Sequence, residues 1–490
     1  MKKYEHAFGK NDIRGIYGED ITEELFYNTG RGFVEWLKAQ SGKKETDMWV
    51  TITRDARLHS PVLEKALSDG ITSTGANVIN LGLAPTPIGY YSEVVGVEGY
   101  NVIAAAIITA SHNPKEYNGL KMTYNKRTLT ESQIREVRDI TFKNWLNNPE
   151  TSAENTLKMT GRVEEKNIIP DYIKDMEERF GKIGEEVKVV VDSANATGGV
   201  VGPELYKKLG CEVVELFSEP DGNFPNHHPN PSVEKTLDTL KEVVTKEHAD
   251  IGIAYDGDSD RIGIVDSEGR FLTGDKLLLI YAQDLIEKCK AKNIVPTVVS
   301  EVKCSQVLFD TINKAGGNAI MCKTGHGYIK GKMKETNAVL GGEMSGHTFF
   351  KDRYYGFDDA IYAGCRMIEI IAKNKKLNPN FTIDEILKPF TQVFTSDEVR
   401  FPCPNHLKKE VLEAMKNEVK SNPDMFGSKI KDIVTLDGMR IVFEGGFALI
   451  RQSNTEPVFT LRFEAPTQAE AEQFKKAMTE FLDKTINARV

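Results

Sequence analysis

Residues 251–265 read Ile251-Gly-Ile-Ala-Tyr-Asp256-Gly-Asp258-Ser-Asp260-Arg261-Ile-Gly-Ile-Val265. An apolar run suited to a buried strand passes straight into a loop that alternates aspartate with small residues. Three carboxylates at every second position repel one another unless a cation sits among them, and hard oxygen ligands at this density suit Mg²⁺. An acidic solvated turn is the plainer alternative, because short Asp-Gly loops are ordinary turn chemistry. An EF-hand calcium loop fits badly. Its sixth position needs glycine and its twelfth glutamate, and here these are Arg261 and Ser267. A cation fixed beside carboxylates that gather a metal suits phosphate chemistry.

The same grammar recurs upstream. In Asn101-Val-Ile-Ala-Ala-Ala-Ile-Ile-Thr-Ala-Ser111-His-Asn-Pro114 an apolar strand again runs into a polar loop, and Pro114 cannot continue a sheet ladder. Ser111 therefore sits at a strand exit, a favoured place for a reactive group, although a turn serine is the bland alternative. The G-x-S-x-G elbow of a hydrolase is missing.

Working outward, strand and helix signals alternate three times. Strands are expected at Met48–Thr53, Asn77–Leu81 and Val102–Ile108, with a helix over 60–75. A second set is Val187–Val191, Cys211–Phe217 and Asp250–Ala254, with a helix near 200–209. A third is Thr297–Ser300, Asn318–Cys322 and Ala338–Leu340, with a helix over 304–315. Continuous apolar strands between helices predict mostly parallel, covered sheets, with functional loops at the carboxyl ends of strands. From about 385 the pattern changes to short strands (Asp397–Phe401, Ile430–Asp437, Met439–Glu444, Ala448–Gln452, Thr460–Glu464) beside helices near 405–420 and 467–486, an α+β signature. Boundaries near 165, 272 and 385 give segments 1–165, 166–272, 273–385 and 386–490.

The chain has 490 residues, too many for one core, and predicts about three or four domains. A net charge of −9 with no dominant Lys/Arg cluster argues against a nucleic-acid surface. An acidic protein that binds anions must concentrate its cations at the site, and Lys10, Arg14, Lys121, Arg261, Lys303, Lys323 and Arg451 are candidates. The start, Met-Lys-Lys-Tyr-Glu-His, has no signal-peptide core, and the apolar run at 102–108 is far short of a membrane span. Six cysteines without C-x-x-C or ligand spacing read mostly as core residues. Together these features point to the cytoplasm, with no membrane or nucleic-acid partner.

Four stretches jointly resemble the motifs of the α-D-phosphohexomutases, in family order and across nearly the whole chain. Thr109-Ala-Ser-His-Asn-Pro114 resembles their phosphoserine loop and Asp256-Gly-Asp-Ser-Asp-Arg261 their metal loop. Gly342-Glu-Met-Ser-Gly-His347 resembles their sugar-binding loop, and Arg451-Gln-Ser-Asn-Thr-Glu-Pro457 their C-terminal phosphate-binding loop. Met344 is similar to the phosphomannomutase/phosphoglucomutase branch, where the glucosamine-phosphate mutases usually carry Gln. The resemblance implies an α/β fold of three topologically similar mixed α/β domains plus a C-terminal α+β domain around a central cleft.

It also implies a reaction. A phosphoryl group on Ser111 passes to a hexose phosphate, through a hexose 1,6-bisphosphate that turns around, and so moves between C1 and C6. Mg²⁺ would be held by Asp256, Asp258 and Asp260 with Ser111. Catalytic roles fall to Ser111, His112, Lys121 and Arg261, with Lys121 a candidate for proton transfer. Substrate contacts fall to Arg14, Lys303, Lys323, Gly325, His326, Glu343, Ser345, His347, Arg451, Ser453, Asn454 and Thr455. The partners implied are small hexose phosphates, for a monomer or dimer.

The residues themselves support parts of this. Glu343, Ser345 and His347 alternate, which in an extended loop aims them to one side. Arg451, Ser453, Asn454 and Thr455 offer the guanidinium, hydroxyls and loop N–H groups that a phosphate monoester needs. Lys323-Thr-Gly-His-Gly-Tyr-Ile-Lys-Gly-Lys332 misses a Walker A loop because His326 stands where glycine is required. Asn11 replaces a Tyr frequent in phosphomannomutases, and Thr53 precedes Arg54-Asp-Ala-Arg57 where the family has Gly. Pro225-Asn-His-His-Pro-Asn-Pro231 reads as a structural loop. A sugar-phosphate phosphatase using Ser111, and a sugar-bisphosphate sensor without catalysis, are the alternatives.

Overall fold

A run such as Val102–Ile108, with Ala104, Ala105 and Ala106 all at 0% exposure, can only be a strand covered on both faces. In the computed structural model, which describes residues 2–147, 161–453 and 456–489, it lies inside a seven-stranded sheet. The order is Ile13–Ile16, Tyr117–Tyr124, Val102–Ile108, Trp49–Arg54, Asn77–Leu83, Val163–Glu165, with Arg127–Thr128 paired to Tyr117–Tyr124. Trp49–Arg54 runs parallel to both Asn77–Leu83 and Val102–Ile108. Tyr117–Tyr124 is antiparallel to Val102–Ile108 and to Ile13–Ile16.

This sheet is mixed, where the sequence pattern predicted mostly parallel pairing. The reason is connection length. The short loop after Ile108 cannot make a crossover, so the next strand returns antiparallel. The second sheet repeats the device. Its order is Phe271–Leu272, Ile262–Asp266, Ile251–Tyr255, Lys188–Asp192, Glu212–Leu216. Ile251–Tyr255 is parallel to Lys188–Asp192 but antiparallel to Ile262–Asp266, which follows the aspartate loop. Both reactive loops are thus tight returns at the carboxyl end of a buried strand.

The third sheet has four strands, ordered Asn318–Cys322, Thr297–Glu301, Leu340–Gly342, Thr348–Phe350, the first three parallel. The strand expected from Ala338 starts two residues later. Asn337, at φ 53°, caps the helix His326–Thr336, and the Ala338 N–H still bonds back to Met333 O. The fourth sheet is six-stranded and antiparallel, built from Phe394–Thr395, Val399–Pro402, Ile430–Val434, Met439–Phe443, Gly446–Gln452 and Val458–Ala465. The helices Lys408–Ser421 and Gln468–Asn487 line its apolar core. The strand expected to reach Asp437 stops at Val434, because Asp437-Gly438 makes the hairpin turn. Three α/β layers followed by an α+β domain is the predicted fold class.

By contacts the chain divides into two units. One comprises Met1–Leu272, Gly346–Thr348 and Phe357–Thr382; the other comprises Thr273–Ser345, Phe349–Gly356 and Ile383–Val490. Among the described residues no helix is long and apolar enough to cross a membrane. All six cysteines are free, five of them buried.

Candidate functional site

In the first unit, Ser111 is 2% exposed and holds φ at +50°, a left-handed conformation that costs a non-glycine residue roughly 1–2 kcal/mol. Two groups hold it there. Thr109 Oγ1 accepts the Ser111 N–H at 2.8 Å. The fully buried Arg57 guanidinium donates to Ser111 O at 2.9 Å, Asn113 O at 2.7 Å and Tyr117 O at 3.0 Å, and also to Pro114 O. Arg57 Nε is fixed by Asp55 Oδ2 at 2.9 Å, while Asp55 Oδ1 accepts from Ser60 Oγ at 2.6 Å. The Arg54–Arg57 motif is therefore the frame of the serine loop.

The aspartate loop meets that frame directly. Ser111 Oγ donates to Asp256 Oδ2 at 2.7 Å. Gly257 allows the approach, since a Cβ there would lie 2.4 Å from Ser111 O. Asp256, Asp258 and Asp260 are all buried, and each offers an oxygen within 4.8 Å of the others. Lys121 Nζ bridges Asp258 Oδ2 at 2.6 Å and Asp260 Oδ2 at 2.5 Å. Its place follows from register, because Lys121 lies opposite Ile107 on the neighbouring strand. Thr86 Oγ1 adds a donor to Asp258 Oδ2 at 2.6 Å.

Whether these residues fit a metal is tested by what remains. Asp258 Oδ1 and Asp260 Oδ1 are buried and accept no hydrogen bond among the described residues. Burial, then the charges of Asp260 and Asp258, push the Asp256 carboxyl well above its usual range. Burial also works against ionised Asp258, yet Lys121, by charge and hydrogen bond, with Thr86 and Arg14, holds it well below that range. Surplus negative charge and oxygens without donors are what a hard divalent cation relieves, and so the donor set fits one.

Cations and histidines complete this centre. Arg261 Nε donates to His347 Nε2 at 3.0 Å, which places the imidazole proton on Nδ1, 3.1 Å from Asp358 Oδ2. His112 Nδ1 lies 3.1 Å from Ser111 Oγ, and its Nε2 is 3.5 Å from Arg261 Nη1. The Arg261 charge, then burial, then Arg14 depress the His112 pKa well below the ordinary value. Burial alone would discharge Lys121, but Asp258 and Asp260 raise its pKa well above the ordinary value. Arg14 Nη1 holds Asn113 Oδ1 at 2.9 Å. Lys10 is exposed and joins none of this.

Between Ser345 and His347 the backbone does not stay extended. Gly346 takes φ +94°, where a Cβ would strike Ile262 O at 2.3 Å. This turn ends the extended alternation and hands His347 to Arg261, Asp260 and Asp358. In the second unit Ser345 Oγ donates to Glu343 Oε2 at 3.1 Å, and the Gly325 N–H donates to Glu343 Oε1 at 2.9 Å. Lys323 and His326 flank that glycine, His326 opening the helix His326–Thr336. Lys303 Nζ lies 3.7 Å from Glu301 and 3.6 Å from Glu398. Burial opposes its charge, and these two carboxylates still raise its pKa. Arg451 Nε donates to Asp437 Oδ2 at 3.1 Å, and the same oxygen accepts the Thr324 N–H at 3.2 Å. Ser453 O accepts from buried Lys408 at 2.9 Å. Asn454 and Thr455 lie outside the described residues.

Sequence reasoning missed Thr86, Asp358, Asp437 and Lys408, and missed the task of Arg57. Only Thr86 carried a signal, standing between Pro85 and Pro87 just past an apolar strand. The histidine-rich loop is structural, as expected: His227 Nε2 pairs with both Asp192 oxygens at 3.0 and 3.1 Å.

A buried serine set against three aspartates, two cations and a neutral imidazole is phosphoryl-transfer machinery. Models of the phosphoglucomutase/phosphomannomutase family match the chain four times. Alpha/beta/alpha domains I, II and III match residues 5–147, 170–269 and 273–390, and the C-terminal domain matches 398–481. The chain is 37% identical over 468 residues to the phosphomannomutase/phosphoglucomutase of Pseudomonas aeruginosa, covering 96% of this chain and 93% of that one. It is 38% identical over 469 residues to the phosphoglucomutase of Neisseria gonorrhoeae, with 96% and 95% covered. The crystal structure of a phosphoglucomutase/phosphomannomutase family protein from Burkholderia thailandensis superposes with a TM-score of 0.84 at 33% identity, with 98% and 97% covered. The chain belongs to the phosphoglucomutase/phosphomannomutase family. It is a mutase, an isomerase that relocates a phosphoryl group within a hexose phosphate.

Proposed function

We propose that the protein interconverts the 1- and 6-phosphates of glucose and mannose through a phosphorylated Ser111 and a hexose 1,6-bisphosphate. The observation that carries this reading is the Ser111 Oγ–Asp256 Oδ2 contact of 2.7 Å inside a buried aspartate triad bridged by Lys121. Asp256, Asp258 and Asp260 would hold Mg²⁺ with the serine oxygen or its phosphate. When bound, that ion neutralises charge on the transferring group. His112 Nδ1 faces Ser111 Oγ at 3.1 Å and would stabilise that oxygen by a hydrogen bond as the phosphoryl group leaves. Lys121, kept charged by two carboxylates, adds fixed positive charge and is poorly suited to accept a proton. Arg261 orients both His112 and His347.

Glu343 and Ser345 would bind the 3- and 4-hydroxyls, which glucose and mannose share. Arg451 and Ser453, with Asn454 and Thr455, would hold the non-reacting phosphate, with Lys303, Lys323, Gly325, His326 and Arg14 as further contacts. The segments 1–165, 166–272, 273–385 and 386–490 would each supply one of these loops. We place the reaction in the cytoplasm, on small hexose phosphates.

A coupled assay of both 1-phosphates with bisphosphate activator tests the reading. Wild-type protein should form both 6-phosphates without releasing inorganic phosphate, and peptide mapping should find one phosphoryl group on Ser111. Net phosphate release would identify a phosphatase instead. Full mutase activity in Ser111→Ala would remove the phosphoserine from the scheme.

A further inference from the structure

Tyr328 stands in the first turn of the helix His326–Thr336, and the residue is 52% exposed. Its surroundings are the proposed sugar-reading residues. The Lys323 ammonium lies 5.7 Å from the ring centroid, inside cation–π reach. A Cβ built on Gly325 would come within 3.3 Å of Tyr328 Cδ2, so the ring edge lies against Gly325, and the N–H of that residue holds Glu343 Oε1 at 2.9 Å. Ring, ammonium and carboxylate are thereby gathered around one residue.

Glu343 and Ser345 can satisfy hydroxyls, but a pyranose also has two faces of axial C–H bonds. An aromatic face is electron-rich and attracts such C–H groups. We propose that Tyr328 is a specificity-determining residue whose ring packs on a face of the sugar and favours glucose phosphates over mannose phosphates. This rests on the mutase reading above. The two sugars differ at C2, where glucose carries an axial C–H and mannose an axial hydroxyl. The reaction uses two orientations of the bisphosphate, related by a half-turn that exchanges the 3- and 4-hydroxyls and the two faces. In one of them the axial hydroxyl of mannose must point at the Tyr328 ring. Turnover of mannose phosphate passes through that orientation; glucose phosphate presents C–H bonds in both.

The test is kcat/KM for glucose 1-phosphate and for mannose 1-phosphate in wild type, Tyr328→Phe and Tyr328→Ala. The ratio of the two values is independent of the folded fraction of each preparation. Tyr328→Phe should keep the wild-type ratio within about twofold, because the face is retained. In Tyr328→Ala the glucose-to-mannose ratio should fall roughly three- to tenfold, less than the roughly hundredfold by which a closed apolar pocket rejects an added hydroxyl, because the ring covers only one face. An unchanged or increased ratio in Tyr328→Ala overturns the proposal. So does an equal shift in Tyr328→Phe, which would assign the effect to the phenol oxygen. If wild type converts neither sugar, the mutase reading itself fails; if it converts both and the ratio does not move, only the role of Tyr328 fails.

Discussion

Replacing Arg57 should disable the serine loop without touching any residue that contacts a sugar. Arg57 and Asp55 form an ion pair with side-chain exposures of 0% and 1%. Breaking a buried pair from one side costs about 3–5 kcal/mol, because the surviving charge is left uncompensated. The guanidinium also donates to four carbonyls, those of Ser111, Asn113, Pro114 and Tyr117. Each such bond contributes about 1 kcal/mol net, part of which water can replace. Arg57→Ala should therefore destabilise the protein by about 5 kcal/mol, a large share of the ~5–15 kcal/mol that holds a typical domain.

Arg57→Lys is the more informative variant. An ammonium keeps the charge opposite Asp55 but lacks the planar fork that spans several carbonyls. Its stability loss should be smaller, about 1–2 kcal/mol, equivalent to one or two lost hydrogen bonds. Ser111 would then be less firmly held at φ +50°, and misplacement of a reacting oxygen by about 1 Å can cost roughly a hundredfold in rate. Urea denaturation and steady-state mutase kinetics measure the two effects separately. We expect kcat for Arg57→Lys to fall about 10- to 100-fold while KM stays near wild type. Unaltered kcat in Arg57→Lys, or an Arg57→Ala protein as stable as wild type, would show that the guanidinium does not position the serine.

Two further outcomes follow from the same geometry. Asp256→Asn removes one charged oxygen donor from the triad, so it should reduce the Mg²⁺-induced rise in melting temperature and lower turnover by orders of magnitude; an undiminished thermal shift with Mg²⁺ refutes the ligand assignment. Burial opposes charging of His227, but hydrogen bonding and charge from Asp192 prevail and raise its pKa. A raised folded pKa adds stability that is fully present below the unfolded value of about 6.5 and is lost as pH climbs through the folded value. The denaturation-midpoint gap between wild type and His227→Gln should thus be widest in mild acid and narrow toward alkaline pH, and a gap that widens with pH counts against the ion pair.

What the sequence disclosed was whatever is carried by neighbours in the chain. Ser111 and the three aspartates were legible because an apolar strand and the loop that leaves it are contiguous, and the loop's chemistry is written in consecutive residues. Arg57 was opaque for the opposite reason. Its acceptors lie 54 to 60 positions away and are backbone carbonyls, which no side-chain pattern announces. Nothing in residues 54–57 distinguishes a buried guanidinium from a surface one. Asp437 reads as a turn aspartate in front of glycine, which it is; that its oxygen also ties Thr324 to Arg451 depends on sheet packing.

The alternation of Glu343, Ser345 and His347 makes the same point at closer range. Period-two reasoning holds only while the backbone stays extended, and the one glycine between Ser345 and His347 ends it. The direction of the strands after Ile108 and Tyr255, by contrast, was available in the chain all along. Loops of so few residues can only return antiparallel, and this return brings Lys121 beside Ile107 and so to the carboxylates of Asp258 and Asp260. A cation ten residues downstream of the serine is therefore no accident of spacing: the length of the loop determines that the lysine comes back to the reacting end of the strand it left.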